Sequence, residues 1–174
     1  MAEVLTKKIL VLGSRWSGKS FLIKRFEDLC STSKISTDEF VSTTATLGKT
    51  VTPIKYKRNH TFELHELGGA MSCLWKLIYT STDFDKIIYV IDSTQPWSIA
   101  FSLEQLKEII EQIPIKHKNI LLIFNKTNEI NALTKAALME LLDIETICKG
   151  DIDIIETNAR LGTNLTSVLD WLAR

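Results

Sequence analysis

The sequence predicts an α/β fold built on a six-stranded, mostly parallel sheet with one antiparallel edge strand, flanked by about five helices. Three observations predict it. Short β-branched runs alternate with longer amphipathic ones, the signature of parallel α/β architecture. Three of those runs are apolar almost throughout, as strands covered on both faces should be. No repeat, low-complexity tract or Pro/Gly-rich linker divides the 174 residues, so residues 1–174 are expected to form one domain with a core of its own.

The first strand is Lys8 to Gly13 (KILVLG), followed by a helix from Lys19 to Cys30, where Phe21, Leu22, Phe26 and Leu29 recur at helical spacing. Val51 to Lys57 and Thr61 to Leu67 alternate in polarity around Arg58, Asn59 and His60, which predicts an antiparallel hairpin. A short helix is expected next. Lys86 to Asp92 (KIIYVID) and Asn119 to Phe124 (NILLIF) are buried strands, separated by a helix over Ser98 to Gln112. Helices over Thr134 to Leu142 and Asn164 to Leu172 bracket a more polar strand, Asp151 to Glu156, which suits the sheet edge. Ligand contacts in such a sheet come from the loops beyond the strand C-terminal ends.

Composition sets outer limits. Lys+Arg and Asp+Glu are both 21, so the totals carry no electrostatic footprint for nucleic acid or an anionic membrane. Cys30, Cys73 and Cys148 are too scattered for a disulfide framework or zinc site, and His60, His65 and His117 lie apart with no metal triad. His117 sits with Lys116 and Lys118 in what reads as a solvated loop. No apolar run reaches the roughly 18 residues that span a bilayer. Position 2 is Ala and the chain ends WLAR, so neither N-myristoylation nor prenylation is expected. The expectation is a cytoplasmic protein without a lipid anchor of its own.

The chemistry starts at Gly13-Ser14-Arg15-Trp16-Ser17-Gly18-Lys19-Ser20, which fits G-x-x-x-x-G-K-[ST] in full. Alone, such a string could be a glycine-bounded turn. Between an apolar strand and an amphipathic helix it is a phosphate-binding loop. Backbone N–H groups turn inward around a β-phosphate, and the helix N-terminus adds partial positive charge. Lys19 reaches the β- and γ-phosphates, and the Ser20 hydroxyl ligates Mg²⁺. Asp92, after an apolar strand, is expected to cap the turn at Ser93-Thr94.

Other segments extend this in order along the chain. His65 to Ala70 (HELGGA) follows a strand as the D-x-x-G element of small GTPases does. Thr44-Ala45-Thr46-Leu47-Gly48 looks like T-I-P-T-x-G, and Asn125-Lys126-Thr127-Asn128 looks like N-K-x-D. Asn158-Ala159-Arg160 stands where the last base-contacting loop would lie, and Asp170-Trp171-Leu172 matches a final helix. Over essentially its whole length the chain resembles the ADP-ribosylation-factor-like small GTPases. The resemblance implies a GTP/GDP-binding switch with Mg²⁺. Thr46 would close over the nucleotide and ligate the metal, Glu66 would hold it through water, and the Gly69 N–H would bond the γ-phosphate. Asn125, Lys126, Asn128, Ala159 and Arg160 would form the base site. Segments 31–46 and 68–80 would be the switches, with Phe40, Trp75, Leu77 and Tyr79 as candidate effector anchors or, for Leu77 and Tyr79, core. Effectors, an exchange factor and an activating protein would be its partners, and it is expected as a monomer.

Four departures from that pattern matter. Ala70 stands where hydrolysing GTPases carry the water-orienting Gln, so intrinsic hydrolysis is expected to be very slow. Arg15 and Trp16 fill the middle of the phosphate loop. Arg15 either clamps the γ-phosphate or crowds the site, or is solvated, as lone charged loop residues usually are. Glu66 is one methylene longer than the usual Asp. Asn128 offers guanine one acceptor and one donor where a carboxylate offers two acceptors, at a cost of about 1.5–3 kcal/mol. About six residues precede the first strand, too few for the amphipathic helix by which relatives insert into lipid. The leading expectation is a regulatory switch. A constitutively GTP-bound, non-hydrolysing scaffold is the alternative, and a metabolic kinase is disfavoured because no acceptor-binding insert or lid is evident.

Overall fold

The computed structural model describes residues 6–32, 44–112, 119–148 and 152–174; Phe40 and His117, and most of the first switch segment, lie outside them. The strands are β1 (Thr6–Gly13), β2 (Lys49–Tyr56), β3 (His60–Leu67), β4 (Lys86–Asp92), β5 (Ile120–Asn125) and β6 (Asp153–Thr157), in one sheet of order β2-β3-β1-β4-β5-β6. β1 pairs in parallel with β3 and β4, β4 with β5 and β5 with β6, while β2 runs antiparallel along β3 at the edge. This is the predicted sheet. The carboxyl ends of its parallel strands, Gly13, Leu67, Asp92, Asn125 and Thr157, therefore lie at one end, where the candidate residues cluster.

Strand alternation sorts the core into two halves. Ile9 and Val11 of β1, with Ile88 and Val90 of β4, pack beneath α1 (Lys19–Thr32) and α6 (Leu165–Ala173). Leu10, Leu12, Ile87, Tyr89 and Ile91 face the other way, onto α2 (Ser72–Ser81), α3 (Pro96–Gln112), α4 (Lys135–Leu141) and α5 (Ile144–Cys148). All seven residues of β4 are buried. At ~25 cal/mol per Å² of apolar surface removed from water, these central strands supply the main driving force for folding.

Among the described residues six α-helices form where about five were expected. The run after Thr134 starts as predicted, the Thr134 hydroxyl accepting from the Ala137 N–H. It breaks at Asp143, whose φ of 47° ends one helix before α5 begins. α3 starts two residues early because Pro96 takes the first helical position, where its missing N–H costs nothing. The hairpin is longer than its polarity suggested: β2 begins at Lys49, paired to Leu67, and the turn is taken by Lys57 with φ 53°. At the hairpin tip, Tyr56 Oη and Lys57 Nζ donate to Asp170 Oδ1 of α6 at 2.8 and 2.6 Å.

α2 revises the list of surface anchors. Trp75 and Tyr79, four residues apart, share the face turned to the sheet and are 2% and 5% exposed. Trp75 meets Tyr89 edge to face and donates its indole N–H to Gly68 O at 3.0 Å. Leu77 points the other way and is 70% exposed, in company with half-exposed Leu74.

Candidate functional site

The glycine-bounded loop leaves β1 and runs into α1. Lys19 is only 5% exposed, and its ammonium donates to Gly13 O at 2.8 Å and Ser14 O at 2.9 Å. Burial pushes its pKa down to about 8, with the Glu66 carboxylate pulling upward. An ammonium has three donors, and two are engaged here. What remains is a buried cation lining a cleft bordered by Ser20, Thr46, Glu66, Gly69 and Ala70, which fits an anionic ligand. Gly18 has φ 93°, and a Cβ there would strike Asn125 Nδ2. Arg15 and Trp16 both reach solvent, and the Arg15 guanidinium lies over the Trp16 ring at 4.8 Å from its centroid.

At the floor of the cleft three oxygens converge from three separate segments. Ser20 Oγ donates to Glu66 Oε1 at 2.6 Å, Thr46 Oγ1 donates to the same Oε1 at 3.2 Å, and the two hydroxyls are 3.2 Å apart. Hydroxyls and a carboxylate are hard ligands suited to Mg²⁺. Among the described residues no three His, Cys, Asp or Glu side chains gather as a metal site, so softer metals find no comparable set.

The second switch segment lies against the phosphate loop. A Cβ on Gly69 would overlap Arg15 N and Ser14 C, and one on Gly68 would overlap Thr46 O. Gly68 N–H also donates to Gly48 O at 2.9 Å. The Gly68-Gly69 pair thus lets backbone touch backbone, a packing role that the motif alone does not reveal.

Asn125, Lys126 and Ala159 meet at the other half of the site. Asn125 Nδ2 donates to Ser17 O at 2.9 Å, and its Oδ1 accepts from Thr157 Oγ1 at 3.1 Å and the Ala159 N–H at 3.3 Å. The N–H of Ala159, a residue of the expected base site, is thus turned to Asn125. Lys126 Nζ donates to Trp16 O at 2.8 Å and pairs with Asp92 Oδ2 at 2.6 Å. Asp92 Oδ1 accepts from the Thr94 N–H and hydroxyl, the expected cap; its ion pair with Lys126 was not foreseen. Asn158 Oδ1 accepts from the N–H groups of Arg160 and Leu161. Asn128 and Arg160 are exposed, and the Asn128 amide oxygen has a single long contact, 3.4 Å, from Thr127 Oγ1.

A glycine-bounded loop between a parallel strand and a helix, its lysine buried over carbonyls and its serine beside a carboxylate, defines a P-loop nucleotide-binding protein. The profile of the ADP-ribosylation factor family matches residues 3–174, and the chain belongs to that family. It is 30% identical over 167 residues to human ADP-ribosylation factor-like protein 16, covering 94% of this chain and 83% of that protein. It is 32% identical to ADP-ribosylation factor 3 of Arabidopsis thaliana (95% and 86% covered) and 29% identical to ADP-ribosylation factor-like protein 1 of Caenorhabditis elegans (95% and 87%). Its fold matches the Arl6 BBS3 small GTPase of Trypanosoma brucei, solved with GppNp, with a TM-score of 0.75 at 22% identity, covering 97% and 96% of the two chains. The protein is accordingly a GTP-binding regulatory GTPase of the Arf family.

Proposed function

We propose that this chain is a guanine-nucleotide switch that holds GTP with Mg²⁺ and hydrolyses it very slowly by itself. The observation that carries the reading is the cleft lining: Ala70 stands beside Gly69 with a methyl group, and Glu66 is already engaged by Ser20 and Thr46. Neither is free to orient an attacking water. Arg15 lines the cleft and rests on Trp16 in solvent, which supports a solvated loop residue over a phosphate clamp. Lys19 with the Gly13–Ser20 backbone would hold the phosphates, and Ser20, Thr46 and Glu66 the metal, which supplies charge neutralisation to the β- and γ-oxygens. Asn125, Lys126, Asn128, Ala159 and Arg160 would surround the base. Effectors would read the surface around exposed Leu77 and Leu74; an exchange factor and an activating protein would set its state. The protein would act as a cytoplasmic monomer, reaching membranes through a partner; among the described residues no helix is long and apolar enough to cross one.

Ala70 also favours a second reading, a scaffold that stays GTP-bound. Single-turnover cleavage of GTP, with and without cell extract, separates the two. A rate raised by extract marks a switch, and intact GTP persisting in purified protein marks the scaffold. Mass spectrometry of the co-purifying nucleotide tests both, since an adenine nucleotide would sink the guanine reading.

A further inference from the structure

The family pattern places a water between the metal and the carboxylate of the second switch motif, and the longer Glu66 changes the geometry of that contact. Glu66 is fixed by backbone pairing on both sides, to Val11 of β1 and Thr50 of β2, and is 5% exposed. Its extra methylene, about 1.5 Å of reach, therefore cannot be taken up by swinging into solvent. It carries the carboxylate forward until one oxygen, Oε1, contacts both hydroxyls, 2.6 Å from Ser20 Oγ and 3.2 Å from Thr46 Oγ1. With the hydroxyls 3.2 Å apart, the three oxygens form an isosceles triangle with sides of 2.6, 3.2 and 3.2 Å.

Octahedral Mg²⁺ binds oxygens at 2.0–2.1 Å, so neighbouring ligand atoms stand about 2.9 Å apart. The triangle is the size of one face of that octahedron. We propose that Glu66 is a direct ligand of the divalent cation, joining Ser20 and Thr46 on one face and displacing the water that a shorter carboxylate would leave there. The inference rests on the nucleotide and Mg²⁺ reading above and deepens it. The opposite face is left for phosphate oxygens and water, and the metal gains one anionic ligand in place of a neutral one. That trade binds the cation more firmly while lowering its net charge toward the phosphates.

The test uses the full chain loaded with a non-hydrolysable GTP analogue and Mn²⁺ as the paramagnetic probe. Line broadening in ¹⁷O-enriched water counts the waters on the ion. The expected result is one bound water fewer in the wild type than in Glu66→Asp. Independently of any variant, wild-type protein labelled with ¹³C-carboxylate glutamate should show the strong electron–nuclear coupling of a directly bound carboxylate. Equal water counts, or only the weak ¹³C coupling of a carboxylate held through water, would overturn the proposal even though the Mn²⁺–nucleotide complex is bound. Failure to bind that complex at all is a different outcome: it removes the nucleotide reading itself, and this inference with it.

Discussion

The two halves of the candidate site are built in different ways. At the phosphate half every key group is buried or locked: Lys19 is bound to two carbonyls, Ser20 and Thr46 share one carboxylate oxygen, and Gly69 sits on the backbone of the loop. At the base half Asn125, Lys126 and Ala159 have that character, while the outer residues do not. Asn128 is exposed and weakly tethered, and Arg160 is exposed. On the proposed reading the contrast would locate affinity and selectivity in separate places: phosphate recognition would be shared by many mutually supporting contacts, whereas the choice of base would hang on one amide.

The largest test of this contrast is Lys19→Ala. It removes the two charge-assisted bonds that hold the Gly13 and Ser14 carbonyls of the loop and the third donor that would reach phosphate, each worth about 1.5–3 kcal/mol, so affinity for every nucleotide should fall by about 10²–10⁴-fold in a fluorescent-nucleotide titration. Near-normal binding would break the comparison at its stronger end. Asn128→Asp acts on the other half. Replacing the misplaced donor with a second acceptor should tighten guanine nucleotides by roughly 10- to 150-fold and leave adenine nucleotides unchanged in competition assays. An equal gain for both would mean that position 128 does not face the base.

Gly69→Ala should have a somewhat smaller effect. Its Cβ meets loop backbone that cannot step aside, at an overpacking cost of about 1–3 kcal/mol. The preference for GTP analogues over GDP should drop, and the same clash should lower the melting temperature of the protein. Asp170→Asn, at the far end of the hairpin, is the control and the smallest effect. Bonds from Lys57 and then Tyr56 hold the Asp170 carboxyl below its usual range. A carboxyl depressed in the folded state adds stability that is full above the unfolded value of about 3.9 and fades as pH falls through the folded one. The melting difference between wild type and variant should be present at neutral pH and close in acid, with nucleotide affinity unchanged throughout.

The sequence made the phosphate half legible because its signal is contiguous: Gly13 to Ser20 carries strand end, turn and helix start in eight neighbouring residues. The sheet was legible for the same reason, through runs such as KIIYVID. What escaped were features that depend on distant partners. Asn125 joins Ser17, Thr157 and Ala159 across more than 30 residues of chain in each direction, and no local pattern announces that. The role of Gly68 against Thr46 likewise needs the folded approach of two segments. Trp75 and Tyr79 could have been assigned to the core from their spacing of four, which separates them from Leu77. Pro96 was an available marker for the true start of α3. The break at Asp143 carries no glycine or proline to signal it.

Among the described residues the strand β2 has a neighbour on one side only, and with β3 it joins the two segments, around Thr46 and Gly69, that border the cleft beside the phosphate loop. An open strand edge is an invitation to other chains, the usual starting point for shared sheets and aggregation. Here the edge carries Pro53, which offers no donor, and exposed Lys49 and Lys55, which bring charge. These residues discourage strand-to-strand pairing with a second copy along an exposed edge. Backbone pairing along that edge is interrupted at Pro53, so a partner that grips it relies the more on side chains such as Lys49 and Lys55.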